Sequence, residues 1–170
     1  IPPDWVPTLV AAATSGLDIV SGMHTRLSTI PELVAAAAAA GRRLVDVRTS
    51  TREWPVGTGE KRPGKRVLTV GTDCALGKKY AALALTRAFT ALGARATFRA
   101  TGQTGIMIAG DGIPLDAVVA DFVAGAAECL SPANDPDHWD VIEGQGERLD
   151  RFAHHAAPDT EAAFEIVFRR

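Results

Sequence analysis

Arg66-Val67-Leu68-Thr69-Val70-Gly71-Thr72-Asp73-Cys74-Ala75-Leu76-Gly77-Lys78-Lys79-Tyr80 holds the reading that decides the fold. Its first five residues are the cleanest strand in the chain, a short β-branched run closed by glycine. A helix follows, in which Ala81, Leu85, Ala88, Phe89 and Leu92 are expected to share one face and Gly93 to end it. A loop held between a strand and a helix aims backbone N–H groups at one point, and the helix N-terminus adds partial positive charge. Gly71 and Gly77 let that loop curl around a ligand without Cβ clashes, and Lys78 reaches outer phosphates as a point charge. Gly71 to Lys79 is therefore read as a variant phosphate-binding P-loop, with Thr72, Asp73, Cys74, Ala75 and Leu76 as its body. The standard loop ends Gly-Lys-Ser/Thr because that hydroxyl binds Mg²⁺. Here Lys79 and Tyr80 follow Lys78, which favours an anion over metal-assisted phosphoryl transfer.

Outward from this loop the pattern repeats. Ala96 to Ala100 is a second strand running into the loop Thr101-Gly102-Gln103-Thr104-Gly105. Leu115, Val118, Val119, Phe122, Val123 and Ala126 mark another helix. Asp140 to Glu143 is a third strand, ending in Gly144-Gln145-Gly146. Upstream, a helix over Trp5 to Ala13 stops at Gly16, and Leu17 to Val20 forms a strand. Pro31 opens a second helix through the Ala35–Ala40 run, closed by Gly41, and Arg43 to Val47 is the next strand. Strand, helix, strand at this spacing is a parallel βαβ unit. Pro55, Gly57, Gly59, Pro63 and Gly64 break the periodicity between Thr49 and Lys65. The expected α/β organisation is a first unit at 1–48, a linker at 49–65, a P-loop unit at 66–146 and a divergent tail at 147–170. Every glycine loop of the second unit then lies at the carboxyl end of a strand, where open parallel sheets bind ligands.

Glu143 closes the third strand beside two glycines, where a base or a Mg²⁺-associated acid is expected. Thr101, Gln103 and Thr104 offer hydroxyl and amide groups to a substrate at the neighbouring strand end. His24 and Arg26 are read as surface residues. The 170 residues are 46% apolar and 22% charged with a net charge of −2, a globular composition in which nothing favours a broad nucleic-acid footprint. Lys61, Arg62, Lys65 and Arg66 form a short basic run flanked by Pro and Gly, read as solvated. Cys74, Cys129, His138, His154 and His155 lack metal-ligand spacing, so no metal site is expected. The apolar runs fall short of the ~18 residues of a membrane span and no leader pattern opens the chain. A cytoplasmic protein with a small-molecule substrate is expected, with self-association left open.

These loops can be matched to a family. Gly71 to Lys78, Ala100 to Gly105, Val118-Val119-Ala120-Asp121-Phe122-Val123-Ala124-Gly125 and Val141-Ile142-Glu143-Gly144-Gln145-Gly146 resemble the D-glutamate N-acetyltransferase-like family, long known only as a domain of unknown function with a P-loop fold. Gly16 to Leu27 and Gly41 to Arg48 resemble its amino-terminal Rossmann-like domain. The resemblance implies a partial Rossmann-like unit followed by a three-layer P-loop domain with a mostly parallel sheet. It also implies acetyl transfer from acetyl-CoA to the amine of D-glutamate or a similar amino acid, with Gly71 to Lys79 on the donor pyrophosphate. Gly71-Thr72-Asp73 and Glu143-Gly144 are also similar to dethiobiotin synthetase, which would instead use ATP and Mg²⁺. A non-catalytic nucleotide-binding remnant is the third alternative. Lys79 and Ala81 stand where the family tends to have Met and Thr. The chain begins inside the first domain, and the likeness is expected to end near Gly146, as in a fragment or truncated gene product.

Overall fold

The computed structural model describes residues 1–49, 52–71 and 76–145. Thr72, Asp73, Cys74 and Ala75, and the tail from Gly146 onward, lie outside the described residues. The chain divides into two compact units, Ile1–Thr51 and a second from Arg52 onward.

In the first unit, α1 (Val6–Thr14) and α2 (Pro31–Ala40) lie over a two-stranded parallel sheet of β1 (Ile19–Ser21) and β2 (Leu44–Asp46). Punctuation fixes these ends. Gly16 and Gly41 take left-handed φ values of 95° and 62°, a conformation other residues adopt only with strain, and Pro31 is the first helical residue of α2. Ala13, Leu27, Leu33 and Ala37 form the core, with Ile19 and Leu44 packed against it from the sheet. Full burial of a leucine such as Leu33 contributes about 2 kcal/mol. Asp46 accepts the Leu27 N–H at 2.9 and 3.1 Å, tying the end of β2 to the turn at Leu27–Thr29. His24 and Arg26 are exposed.

The second unit contains β3 (Lys65–Leu68), α3 (Lys78–Ala91), β4 (Ala96–Arg99), α4 (Gln103–Ala109), α5 (Val123–Leu130) and β5 (Trp139–Ile142). Among the described residues its sheet is wholly parallel in the order β3-β5-β4, so the strand that comes third of these in sequence is the central one. Phe89 of α3 meets Trp139 at 4.9 Å between ring centroids, whereas Ile142, on the opposite side of the pleat, packs on the α5 cluster of Val123, Ala126 and Leu130. Helices thus cover both faces of a parallel sheet.

Three expectations are corrected. The buried edge of α3 runs through Ala82, with Leu83, Thr86 and Phe89 half-buried, while Leu85 is exposed and Leu92 is 84% exposed. Gln103, read as part of a loop, opens α4. The helix expected from Leu115 is instead two short turns, Leu115–Ala117 and Ala120–Phe122, before α5 starts at Val123. Val118 and Val119 between them are extended, with ψ of 134° and 138°.

The stretch from Trp54 to Glu60 lies along α5. Glu128 accepts the N–H groups of Thr58 and Gly59 at 3.0 and 2.8 Å, and a Cβ at Gly125 would overlap the Pro55 carbonyl oxygen. Arg62 and Arg66 donate to the Glu128, Ser131 and Pro132 carbonyls at the carboxyl end of α5, where cations complement the helix dipole. Beneath them Asp140, 1% exposed, accepts from Arg99 Nε at 2.8 Å and Ser131 Oγ at 2.6 Å.

Candidate functional site

The carboxyl ends of β3, β5 and β4 are laced together by residues just beyond each strand. Thr69 is buried after β3, and its hydroxyl lies 3.1 Å from the Lys78 carbonyl and 3.3 Å from the Ile142 carbonyl, while accepting the Gly144 N–H at 3.3 Å. A Cβ on Gly144 would overlap the Thr69 carbonyl oxygen, so only glycine lets the chain leave β5 this close to β3. The return of the loop to the first residue of α3 is therefore fixed against two strands at once.

Around the phosphate loop the described residues are Gly71 and Leu76 to Lys79. Gly77, the residue before α3, has φ of 92°, within glycine's left-handed range. The Lys78 stem runs back over Gly71, where an added Cβ would stand 3.4 Å from Lys78 Cδ and 3.2 Å from Leu76 Cδ1. Lys79 Nζ sits 4.6 Å from the centroid of the Tyr80 ring, a cation–π contact within the first turn. That turn carries two lysines and no acidic side chain. Positive side chains and helix dipole therefore add rather than cancel.

At the neighbouring strand end, Glu143 is 6% exposed and Thr101 fully buried. Glu143 Oε2 accepts the N–H groups of Thr101 and Gly102, both at 3.1 Å. The Thr101 hydroxyl donates to the Glu143 carbonyl at 2.6 Å and accepts from Gln145 Nε2 at 2.8 Å. Gln103 is half-buried and Thr104 exposed at the start of α4. Sequence reading assigned Thr101 to substrate, yet its hydroxyl is occupied inside the protein. Thr69 and Gln145 escaped that reading. Their available signals were a hydroxyl at the mouth of the loop and an amide two residues after an acidic strand end. Among the described residues no group of three or more His, Cys, Asp or Glu side chains is gathered as a metal cage, and no helix is long and apolar enough to cross a membrane.

The fold and this strand-edge geometry define an α/β protein with a P-loop unit. Residues 55–163 match the family described as "Domain of unknown function (DUF1611_C) P-loop domain", and residues 1–50 match "Domain of unknown function (DUF1611_N) Rossmann-like domain". The chain belongs to this DUF1611 family. The match extends to residue 163, past the Gly146 limit expected from the motifs. The chain is 56% identical over 143 residues to a protein from Tritonibacter scottomollicae named D-glutamate N-acetyltransferase, and 47% identical over 142 residues to one of the same name from Pseudoalteromonas sp. Each alignment covers 84% of this chain and 43% of the relative, so the chain spans less than half the length of these curated relatives. A crystal structure of a DUF1611 family protein from Anabaena variabilis is similar with a TM-score of 0.78 and 40% identity, over 95% of this chain and 46% of that one.

Proposed function

We propose that the protein transfers the acetyl group of acetyl-CoA to the amino group of D-glutamate or a related amino acid. The observation that carries this reading is 56% identity, over 84% of this chain, to a protein named D-glutamate N-acetyltransferase. The residues at the mouth of α3 fit a pyrophosphate-bearing donor, since Lys78 and Lys79 both lie in the first turn, at the positive end of the helix dipole. The donor would supply a thioester-activated acetyl group. The chain's own contribution is to hold the donor's phosphates along Gly71 to Lys79, with Lys78 as the principal charge. Gln103 and Thr104, at the start of α4, bind the amino acid in this reading, while buried Thr101 supports them from behind.

The test is direct. Incubation with acetyl-CoA and D-glutamate should release free thiol and yield N-acetyl-D-glutamate by mass spectrometry. Mg²⁺-dependent phosphate release from ATP without acetyl transfer would replace the proposal with a dethiobiotin-synthetase-like ligase. Failure to bind CoA or ATP in calorimetry would leave a non-catalytic domain.

A further inference from the structure

We propose that Glu143 is a positioning residue that sets the start of α4, and with it Gln103 and Thr104, rather than a base that takes a proton from substrate. The kinetic part of this inference rests on the acetyl-transfer reading; the structural part does not. Glu143 lies one residue beyond β5 and its carboxylate is turned to the backbone of the adjacent strand end. Oε2 accepts both the Thr101 and the Gly102 N–H, the two amides that lead into the first turn of α4. A proton placed on Oε2 would compete with these donors for its lone pairs and displace at least one of them. The contact is closed from the other side as well, because the Thr101 hydroxyl donates to the Glu143 carbonyl and is itself fixed by Gln145.

The neighbouring residues are shaped for the carboxylate. A Cβ on Gly105 would overlap Glu143 Oε2 and stand 3.0 Å from Cδ. A Cβ on Gly102 would lie 3.2 Å from Oε1 and 2.7 Å from Gln145 Nε2. Neither glycine has a left-handed φ, so local backbone conformation does not demand them. The space they leave is filled by Glu143 and Gln145. A carboxylate that bridges two strand ends and is seated against two side-chain-free positions is built to hold a loop in one place.

Three variants of the full chain, E143Q, E143A and G105A, test this through two measurements. The first is amide hydrogen exchange at Thr101, Gly102 and Gln103. Loss of bonds to a charged acceptor should speed exchange there by about tenfold to a hundredfold in E143A. G105A, which leaves Glu143 in the chain but evicts its carboxylate, should do the same. E143Q keeps an acceptor oxygen and should restore most of the protection. The second measurement is the kinetics of acetyl transfer. E143A and G105A should raise KM for the amino acid more than they lower kcat. E143Q should recover most of what E143A loses, and adding G105A to E143A should cost little further, the new Cβ still standing 3.3 Å from Ala100 Cβ. The inference is overturned if E143Q keeps the amides protected but loses about 10²–10⁴ in kcat, as removal of a true base would. It is equally overturned if G105A leaves exchange at Thr101 and Gly102 unchanged. Absence of acetyl transfer in the unmodified protein would sink the proposed function, while the exchange measurement would still decide the positioning contact.

Discussion

Replacing Asp140 with alanine removes the acceptor for two short bonds in one step, Arg99 Nε at 2.8 Å and Ser131 Oγ at 2.6 Å. Breaking a buried ion pair by deleting one member costs roughly 3–5 kcal/mol, because the surviving charge is left without compensation. The Arg99 side chain retains 22% exposure, so water can partly resolvate it and the lower end of that range applies. Ser131, 1% exposed, loses its acceptor as well, which adds about 1 kcal/mol. Arg66 compounds the loss: burial and then the Arg62 charge depress its guanidinium from the usual value, and Asp140 is the group that opposes them. A total near 3–4 kcal/mol, divided by a urea slope of about 2 kcal/mol per molar, lowers the unfolding midpoint by roughly 1.5–2 M. Tryptophan fluorescence reads this unit through Trp54 and Trp139, both half-buried there. Asp140→Asn keeps one acceptor oxygen and should lose about half as much. A midpoint shift in D140A under about 0.5 M would refute the claim that this network holds the amino end of the sheet together.

Lys78→Ala should weaken CoA binding by at least ~1.5 kcal/mol, more than tenfold, in calorimetry at fixed salt, and unchanged affinity would remove the phosphate-cradle reading. Because Lys79 stands where a Mg²⁺-binding hydroxyl would be, EDTA should leave that affinity nearly intact; a tenfold loss on chelation would require a metal in the site. Glu128 titrates below its usual value because the Thr58 and Gly59 N–H groups, then the Thr58 hydroxyl and the Arg62 charge, favour the carboxylate. Its contribution is therefore present above the unfolded-state value of 4.5 and is lost as pH falls through the lower folded-state one. Protection of the Thr58 and Gly59 amides, taken relative to the intrinsic exchange rate at each pH, should fall on acidification through that window and should not do so in Glu128→Gln, where the amide cannot titrate.

What the sequence displayed was its punctuation. Pro31, Gly16, Gly41 and Gly93 state where helices begin and end through backbone geometry alone, and the structure uses each of them so. The α3 face was illegible for a physical reason. Alanines occur on every side of that helix, so apolar spacing fixes no phase, and the half-buried stripe includes Thr86, whose polarity is answered within the helix by the Ala82 carbonyl at 2.8 Å. α4 was hidden because Gly102 and Gly105 read as loop residues, whereas they make room for a carboxylate from another strand. The glycine loop, Glu143 and the strand-end position of Thr101 and Gln103 were all visible as motifs. That Thr69, Gly144 and Gln145 complete the same strand edge depends on strand order, which no local pattern carries.

That strand order has a consequence for how the second unit acquires its structure. Among the described residues β3 and β4 each pair with β5 and not with one another, so neither has this ladder to join until β5 has left the ribosome. The bond from Gly144 to Thr69 spans 75 positions of chain. Folding here is governed by long-range closure, which is intrinsically slow, and β3 waits unpaired by β5 until the whole stretch between them has been made. Slowing translation beyond β5 should therefore help this unit less than a chaperone that shields β3 before β5 arrives.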